Sequence, residues 1–250
     1  MYQKLPIGTL VNVVTILLGS LIGVWLEQSF PTNIKAIAFQ AIGLISLLIG
    51  IQMSLKLPEG YLLLAIISMV LGGIVGEIMH LDTLLNGLAE NLKTTLDIDD
   101  VQFTEGLITA SLLFSIGSMV IVGAIEEGVK GDRTLLLVKS MLDGVSSIVF
   151  ASTYGIGILF SIFPVLLIQG GITLLARRMQ YFFTETIIAQ LSAVGGLLII
   201  AIGINILELG KINIENLLPG LLLVVILTWG YDKFQHFLTK RNSNKHERNN

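Results

Sequence analysis

From Thr134 to Ala176 the chain runs through apolar residues for about twice the length that crosses a lipid bilayer, carrying one lysine, one aspartate and no other charge. Few folds accommodate such a stretch. A backbone in lipid has no water to bond to, so it must satisfy its own polar groups as helix. A run of double length must also turn back once. Gly155-Ile156-Gly157 is the expected place, because glycine accepts the backbone angles of a tight turn.

With about 20 apolar residues per crossing, spans are read near Pro6–Leu26, Ile34–Ser54, Gly60–Ile78, Thr104–Ala124, Thr134–Tyr154, Ile156–Ala176, Ile187–Leu207 and Leu217–Phe234. The expected fold is therefore an all-α integral membrane protein of about eight transmembrane helices. Charged residues make up 13% of the chain, against roughly a quarter in soluble domains, and mean hydropathy is +0.83. The first segment is longer than a removable signal peptide and lacks its small-residue cleavage pattern, so it is read as a true span. With no cysteine, the chain has no disulfide framework, thiolate metal site or cysteine nucleophile. A net charge of −3 gives no sign of a nucleic-acid partner.

Charge placement fixes an expected orientation. With both termini cytoplasmic, Lys4, Lys56, Lys130, Arg133, Arg177, Arg178, Lys233, Lys240, Arg241, Lys245 and Arg248 fall inside, and only Lys35, Lys93 and Lys211 outside. The positive-inside rule favours that arrangement, and an odd number of crossings would misplace either the basic tail or the Arg177-Arg178 pair. Residues 1–238 are read as the transmembrane domain and 239–250 as a basic, disordered cytoplasmic tail. Between the third and fourth spans, 81–100 is too polar to cross. Leu81, Leu84, Leu85, Leu88 and Leu92 share one helical face behind a candidate N-cap at Asp82, which predicts a short amphipathic helix on the outer surface. The acidic turn Asp97, Asp99, Asp100 follows, either as a solvated linker or as a collector of cations.

A weak internal repeat is visible. Ala41-Ile42-Gly43-Leu44 with Gly50-Ile51-Gln52 is echoed by Val194-Gly195-Gly196-Leu197 with Gly203-Ile204-Asn205. The two spans would run in opposite directions, as an inverted-topology repeat requires, although glycine-rich apolar helices also resemble one another by composition.

Polar residues within the spans nominate a site. The fourth span carries Thr104, Ile108, Ser111, Ser115, Ser118, Val122 and Glu126 at steps of three or four, on one face. The fifth carries Lys139, Asp143, Ser146, Ser147, Phe150 and Tyr154 at similar spacing, and a hairpin through 128–132 would press the two stripes together. Each serine also has a plainer use as an interhelical hydrogen bond. Asp143 is different, because charge at membrane depth costs several kcal/mol and Gly144 beside it permits close approach. It is either a solute- or proton-linked carboxylate or the partner of Lys139 in a structural pair, four residues apart on one face. Glu126 and Glu127 read as interfacial charges, Glu126 being the one that ends the stripe. In the first span Asn12 must find a partner, lining a pore or bonding a neighbouring helix, and Thr9 and Thr15 flank it. Gly19 with Gly23, and Gly72 with Gly76, are small pairs that let helices pack closely.

With Gly8-Thr9-Leu10-Val11-Asn12, Gln40-Ala41-Ile42-Gly43 and Lys139-Ser140-Met141-Leu142-Asp143-Gly144 in view, the chain resembles the bacterial YqgA/YdfK-type multi-pass membrane proteins, a family carried as a domain of unknown function. The resemblance covers nearly the whole chain and implies a bacterial membrane protein, often guessed to be a transporter, with no ligand residues to carry over. Glu127 with Gly131-Asp132-Arg133-Thr134 is also similar to a signature of manganese and calcium cation exchangers. Its Glu-to-Gly spacing is longer than in that signature, however, and the second copy is missing.

Two functions are therefore carried forward. One is a secondary transporter or channel for a small solute, a cation or an amino-acid-like compound, with a path lined by Asn12, Ser111, Ser115, Ser118, Glu126, Lys139, Asp143, Ser146 and Ser147. The other is a non-transporting assembly or sensory protein with a structural Lys–Asp pair. An enzyme is not expected: His80, His236 and His246 lie at or beyond the membrane surface, no second intramembrane aspartate exists, and no cofactor fingerprint appears. The lipid bilayer is the one partner composition requires; metal binding and oligomeric state are left open.

Overall fold

A computed structural model describes residues 5–27 and 31–246, and its regular elements are all helical. The chain runs α1 (Ile7–Glu27), α2 (Thr32–Ser54), α3 (Leu62–Ile78), α4 (Leu81–Thr95), α5 (Phe103–Ser115), α6 (Ser118–Lys130) and α7 (Thr134–Tyr154). A 3₁₀ segment (Gly155–Ser161), α8 (Ile162–Val165), a π turn (Leu166–Gly170), α9 (Gly171–Met179), α10 (Glu185–Ile206), α11 (Ile214–Leu217) and α12 (Pro219–His246) complete it. Among the described residues five stretches are long and apolar enough to cross a membrane: Ile7–Glu27, Ala36–Ser54, Thr134–Met179, Glu185–Ile206 and Ile214–Gln235. There are up to seven if the bent pairs α3–α4 and α5–α6 each make one span. The helix of α12 continues past residue 238 to His246, while 247–250 lie outside the described residues.

The helices are built inside out relative to a soluble bundle. In α1 the large apolar residues Leu10, Val14, Leu18 and Leu21 are exposed, whereas Gly8, Thr9, Asn12, Gly19 and Gly23 are buried. Water does not drive such helices together. Close backbone approach and interhelical bonds do, which is why small and polar side chains take the inner face.

Glycine sets the three main pairings. α1 lies parallel to α7, with Gly8 against Leu136, Gly19 against Gly144 and Ser147, and Gly23 against Ile148 and Ala151. α2 and α10 are antiparallel: a Cβ on Gly50 would stand 2.7 Å from the Gly196 carbonyl, and one on Gly203 2.9 Å from that of Gly43. α3 meets α12 in the same manner, through Gly72 against Gly220, and α11 through Gly76 against Asn216. Both expected small-residue pairs are thus helix contacts.

The long apolar run does reverse. The Asn12 amide lies 2.9 Å from Asp143 Oδ2 and 3.1 Å from Gln169 Oε1, whereas a straight helix would hold those two residues roughly 39 Å apart. The turn is at Gly155, whose φ of +68° favours glycine. The acidic linker supports it: Asp100 Oδ2 accepts from the Ile156 amide at 3.2 Å.

The fourth span departs from expectation. It does not run straight from Thr104 to Ala124 but breaks at Ile116-Gly117, with α5 and α6 bent by 57°. Ile116 is extended, and Gly117 has φ 147° and ψ 157°, a region open in practice to glycine alone. The serine stripe is therefore cut between Ser115 and Ser118. Leu81–Thr95 is helical, but it leaves α3 at 61°, through a left-handed His80 rather than a cap at Asp82. Asp82 sits in the first turn, where a carboxylate favours the helix dipole. Asn216 of α11 ties the α3–α4 corner, donating to Glu77 at 2.7 Å and accepting from the Asp82 amide at 2.8 Å.

At the start of α3, Gln190 of α10 donates to the Tyr61 carbonyl at 3.1 Å, and the Tyr61 hydroxyl bonds Asp232 of α12. Before α7, Asp132 accepts from the Thr134 amide at 2.9 Å and its hydroxyl at 2.8 Å, and the amide bond holds its carboxyl below the usual range.

Candidate functional site

Asp143 sits in the middle turn of α7, with Lys139 one turn earlier on the same face. Both face inward because α1 has no bulk opposite them beyond Gly8, Asn12 and Thr15. The pair is enclosed: Asp143 is 7% exposed and Lys139 6%. Asp143 Oδ2 accepts from both the Lys139 ammonium and the Asn12 amide. The same amide donates to Gln169 of the π turn, so three chain segments converge on one carboxylate.

That convergence is incomplete. Asn12 Oδ1, Gln169 Nε2 and, one turn down α1, Thr9 Oγ1 are buried without a partner. A buried polar group left unbonded costs about 1–3 kcal/mol, so the cluster spends stability without using its full bonding capacity. Its ion pair is no evident source of stability either, since desolvating both charges offsets much of their attraction.

A second buried carboxylate lies towards the N-terminal ends of α1 and α7. Glu127 of α6 is 1% exposed, accepting from the Gly8 amide at 2.8 Å and from Arg133 Nε at 3.0 Å, with Oε2 unpartnered. It joins the first turn of α1, where helix amides lack internal partners, to the residue that starts α7. Glu126 does not take this part: half-buried, it pairs with exposed Lys130 at 3.6 Å. One residue along a helix rotates a side chain by about 100°, enough to separate the two roles.

Of the expected path residues, Asn12, Lys139 and Asp143 come together. Ser147 bonds the Gly144 carbonyl at 2.8 Å and packs on Gly19, and Ser146 is half-buried. Ser111 bonds Leu107 O at 2.5 Å within its own helix. Ser115 is buried without a partner at the end of α5, and Ser118 opens α6. None of these three bonds Asp143 among the described residues. α7 lies chiefly along α1, not along the broken span.

Glu105, Ile108 and Thr109 of α5 instead border a cavity of 830 Å³ shared with Asn205 of α10 and with Glu208 and Glu215 beyond it. It opens beside α4, and Asp143 is not among its walls. Gln169 escaped the sequence reading, and Glu127, read there as an interfacial charge, is buried between α1, α6 and Arg133 instead. Gln169 is the one amide in the run 156–176 and stands before Gly170-Gly171, and Glu127 precedes Gly128, where α9 packs through Thr173 and Ala176.

Long apolar helices notched by glycine, enclosing a charged pair and amides, define a multi-pass integral membrane protein. The chain belongs to the family described as "Protein of unknown function (DUF554)", which residues 7–229 match. It is 38% identical over 218 residues to the uncharacterized membrane protein YdfK of Bacillus subtilis (strain 168), covering 86% of this chain and 93% of that one. To the uncharacterized protein YqgA of Escherichia coli (strain K12) it is 32% identical over 227 residues, covering 89% and 96%. No solved structure matches. The chain is thus a bacterial inner-membrane, multi-pass protein.

Proposed function

We propose that this protein is a secondary transporter for a small solute, a cation or an amino-acid-like compound, which binds at Asn12, Lys139, Asp143 and Gln169 in an occluded state. One observation carries this reading: a buried carboxylate shares its neighbourhood with amide and hydroxyl atoms, Asn12 Oδ1, Gln169 Nε2 and Thr9 Oγ1, that have no bonding partner among the described residues. The break at Ile116-Gly117 supports it, since discontinuous helices are how transporters place backbone polar groups at membrane depth. The 830 Å³ cavity along α5 then serves as the outer approach, and Glu127 with Arg133 closes the inner side.

In this reading the chain crosses eight times with both termini cytoplasmic, α5–α6 counting as one broken span and Thr134–Met179 as two. α4 lies on the outer surface with its leucine face in the lipid headgroups, and α2 and α10 are inverted-repeat counterparts. Their glycine contacts, Gly43 with Gly203 and Gly50 with Gly196, are what a two-fold axis in the membrane plane would generate. A reporter fused after Asn250 is expected to read cytoplasmic, and one inserted at Gly87 periplasmic or extracellular. A periplasmic C-terminus rejects the eight-crossing topology.

The path is tested with single cysteines, the chain having none of its own. Cysteines at Thr9, Ser115, Ser118 and Thr109 are expected to react with a small membrane-impermeant thiol reagent, in a pattern that changes with the solute gradient. Reaction confined to Thr109, at the cavity, would sink the transport reading.

The rival reading, an assembly or sensory protein with a structural pair, draws on a different observation. Asp143 Oδ2 is doubly bonded, and Ser111, Ser140 and Ser147 all bond their own helix backbone, as packing serines do.

A further inference from the structure

The cluster at Asp143 already contains one cation, the ammonium of Lys139, and more oxygen than that ammonium uses. Asn12 Oδ1 and, on the same face of α1, Thr9 Oγ1 are buried and unbonded, while Gln169 Oε1 turns towards the Asn12 amide at 3.1 Å. Resting on the transport reading above, we propose that the cluster is a site for a partly dehydrated monovalent metal cation that takes the place of the Lys139 ammonium at Asp143, the lysine releasing its proton as the cation enters so that the charge of the cluster is unchanged.

Charge decides the valence. The site offers one carboxylate, which one ammonium or one monovalent ion balances equally. A divalent ion would leave a positive charge uncompensated in the interior, and it would call for more carboxylates than the site has. No neighbour supplies a second anion. The π turn and the facing stretch of α1 bring Gln169, Thr9 and Asn12, and the buried carboxylate of α6, Glu127, is engaged by Arg133 and the Gly8 amide. Among the described residues no group of three or more acidic or imidazole side chains could hold a metal ion, which again argues against a divalent site.

Donor chemistry decides the kind of ion. Carboxylate, amide and hydroxyl oxygens are hard ligands, suited to alkali cations rather than to soft metals. A water kept by the ion would accept from Gln169 Nε2, an unpartnered donor that a bare cation cannot satisfy.

The test uses the purified full chain in detergent, unfolded by heat in lithium, sodium, potassium or choline chloride at one ionic strength, choline being too large to enter. In Lys139→Met the carboxylate has lost its resident cation. One of the alkali ions is therefore expected to raise that variant's unfolding midpoint saturably, by roughly 3 °C or more over choline. The native chain, where the ammonium competes, should need a higher concentration for the same shift, and the double variant Lys139→Met/Asp143→Asn should show none. Equal midpoints for Lys139→Met in all four salts overturn the proposal. Should that variant fail to purify, equal midpoints for the native chain at high salt overturn it instead. A chain that labels along the path yet ignores these ions transports something else, so this inference falls while the transport reading stands.

Discussion

Asp143→Ala is expected to lower stability by about 3–5 kcal/mol, the usual cost of removing one partner from a buried ion pair. Lys139 is enclosed by α1 and α7 and pairs with no second carboxylate among the described residues, and the Asn12 amide keeps only its bond to Gln169. Lys139→Met/Asp143→Asn removes both charges and leaves neutral groups of similar size, so most of the loss should return. Thermal unfolding in detergent reads both effects. The double variant also separates the two functional readings. If the pair is only structural, the double variant should behave as the native protein does; if Asp143 binds solute, it should fold and fail to transport. Native flux in the double variant removes Asp143 from the mechanism.

Much of this arrangement was legible in advance, and the reasons differ by residue. The reversal near Gly155 followed from length alone, because no helix of that apolarity fits a single crossing. Lys139 and Asp143 announced themselves by the cost of charge at membrane depth. The break at Gly117 did not, since its glycine is one of 26 and nothing local distinguishes a glycine that bends a helix from one that packs it. Glu127 was hidden by its neighbour. Periodicity placed Glu126 on the polar stripe, but the bend at Ile116-Gly117 resets the phase, so a face counted from Thr104 does not carry through to the end of α6. Gln169 depended on tertiary contact: an amide in a turn of π geometry meets Asn12 only because the chain has come back on itself, which spacing along one helix cannot express.

The second large effect is expected from bulk placed in the α1–α7 seam. A side chain at Gly19 would run into the Gly144 carbonyl and Ser147, and one at Gly23 into the Ile148 carbonyl. Backbone cannot swing aside as a flexible side chain does. Gly19→Val and Gly23→Val are therefore placed at the upper end of the roughly 1–3 kcal/mol that overpacking costs. Moving α1 off α7 also withdraws Asn12 from Asp143, so either variant should lose the site together with stability. Gly87→Ala on α4 is the control. Nothing lies within 4 Å of the added carbon, and alanine favours helix over glycine by about 1 kcal/mol, so that variant should match or exceed the native chain. Unfolding midpoints for Gly19→Val no lower than for Gly87→Ala would show that the seam has slack.

The parallel seam has a further consequence during synthesis. Asn12 and Asp143 are 131 residues apart, so at about 5–20 residues per second the ribosome needs roughly 7–26 s to deliver the second after the first. Throughout that interval the first helix stands in the membrane with its notch empty and its amide unmatched, held by its apolar outer face, which includes Leu10, Val14, Leu18 and Leu21. The nascent chain is then at its most vulnerable, open to a wrong helix in the notch or to quality-control proteolysis. Anything that stalls translation between the two helices lengthens that exposure in direct proportion.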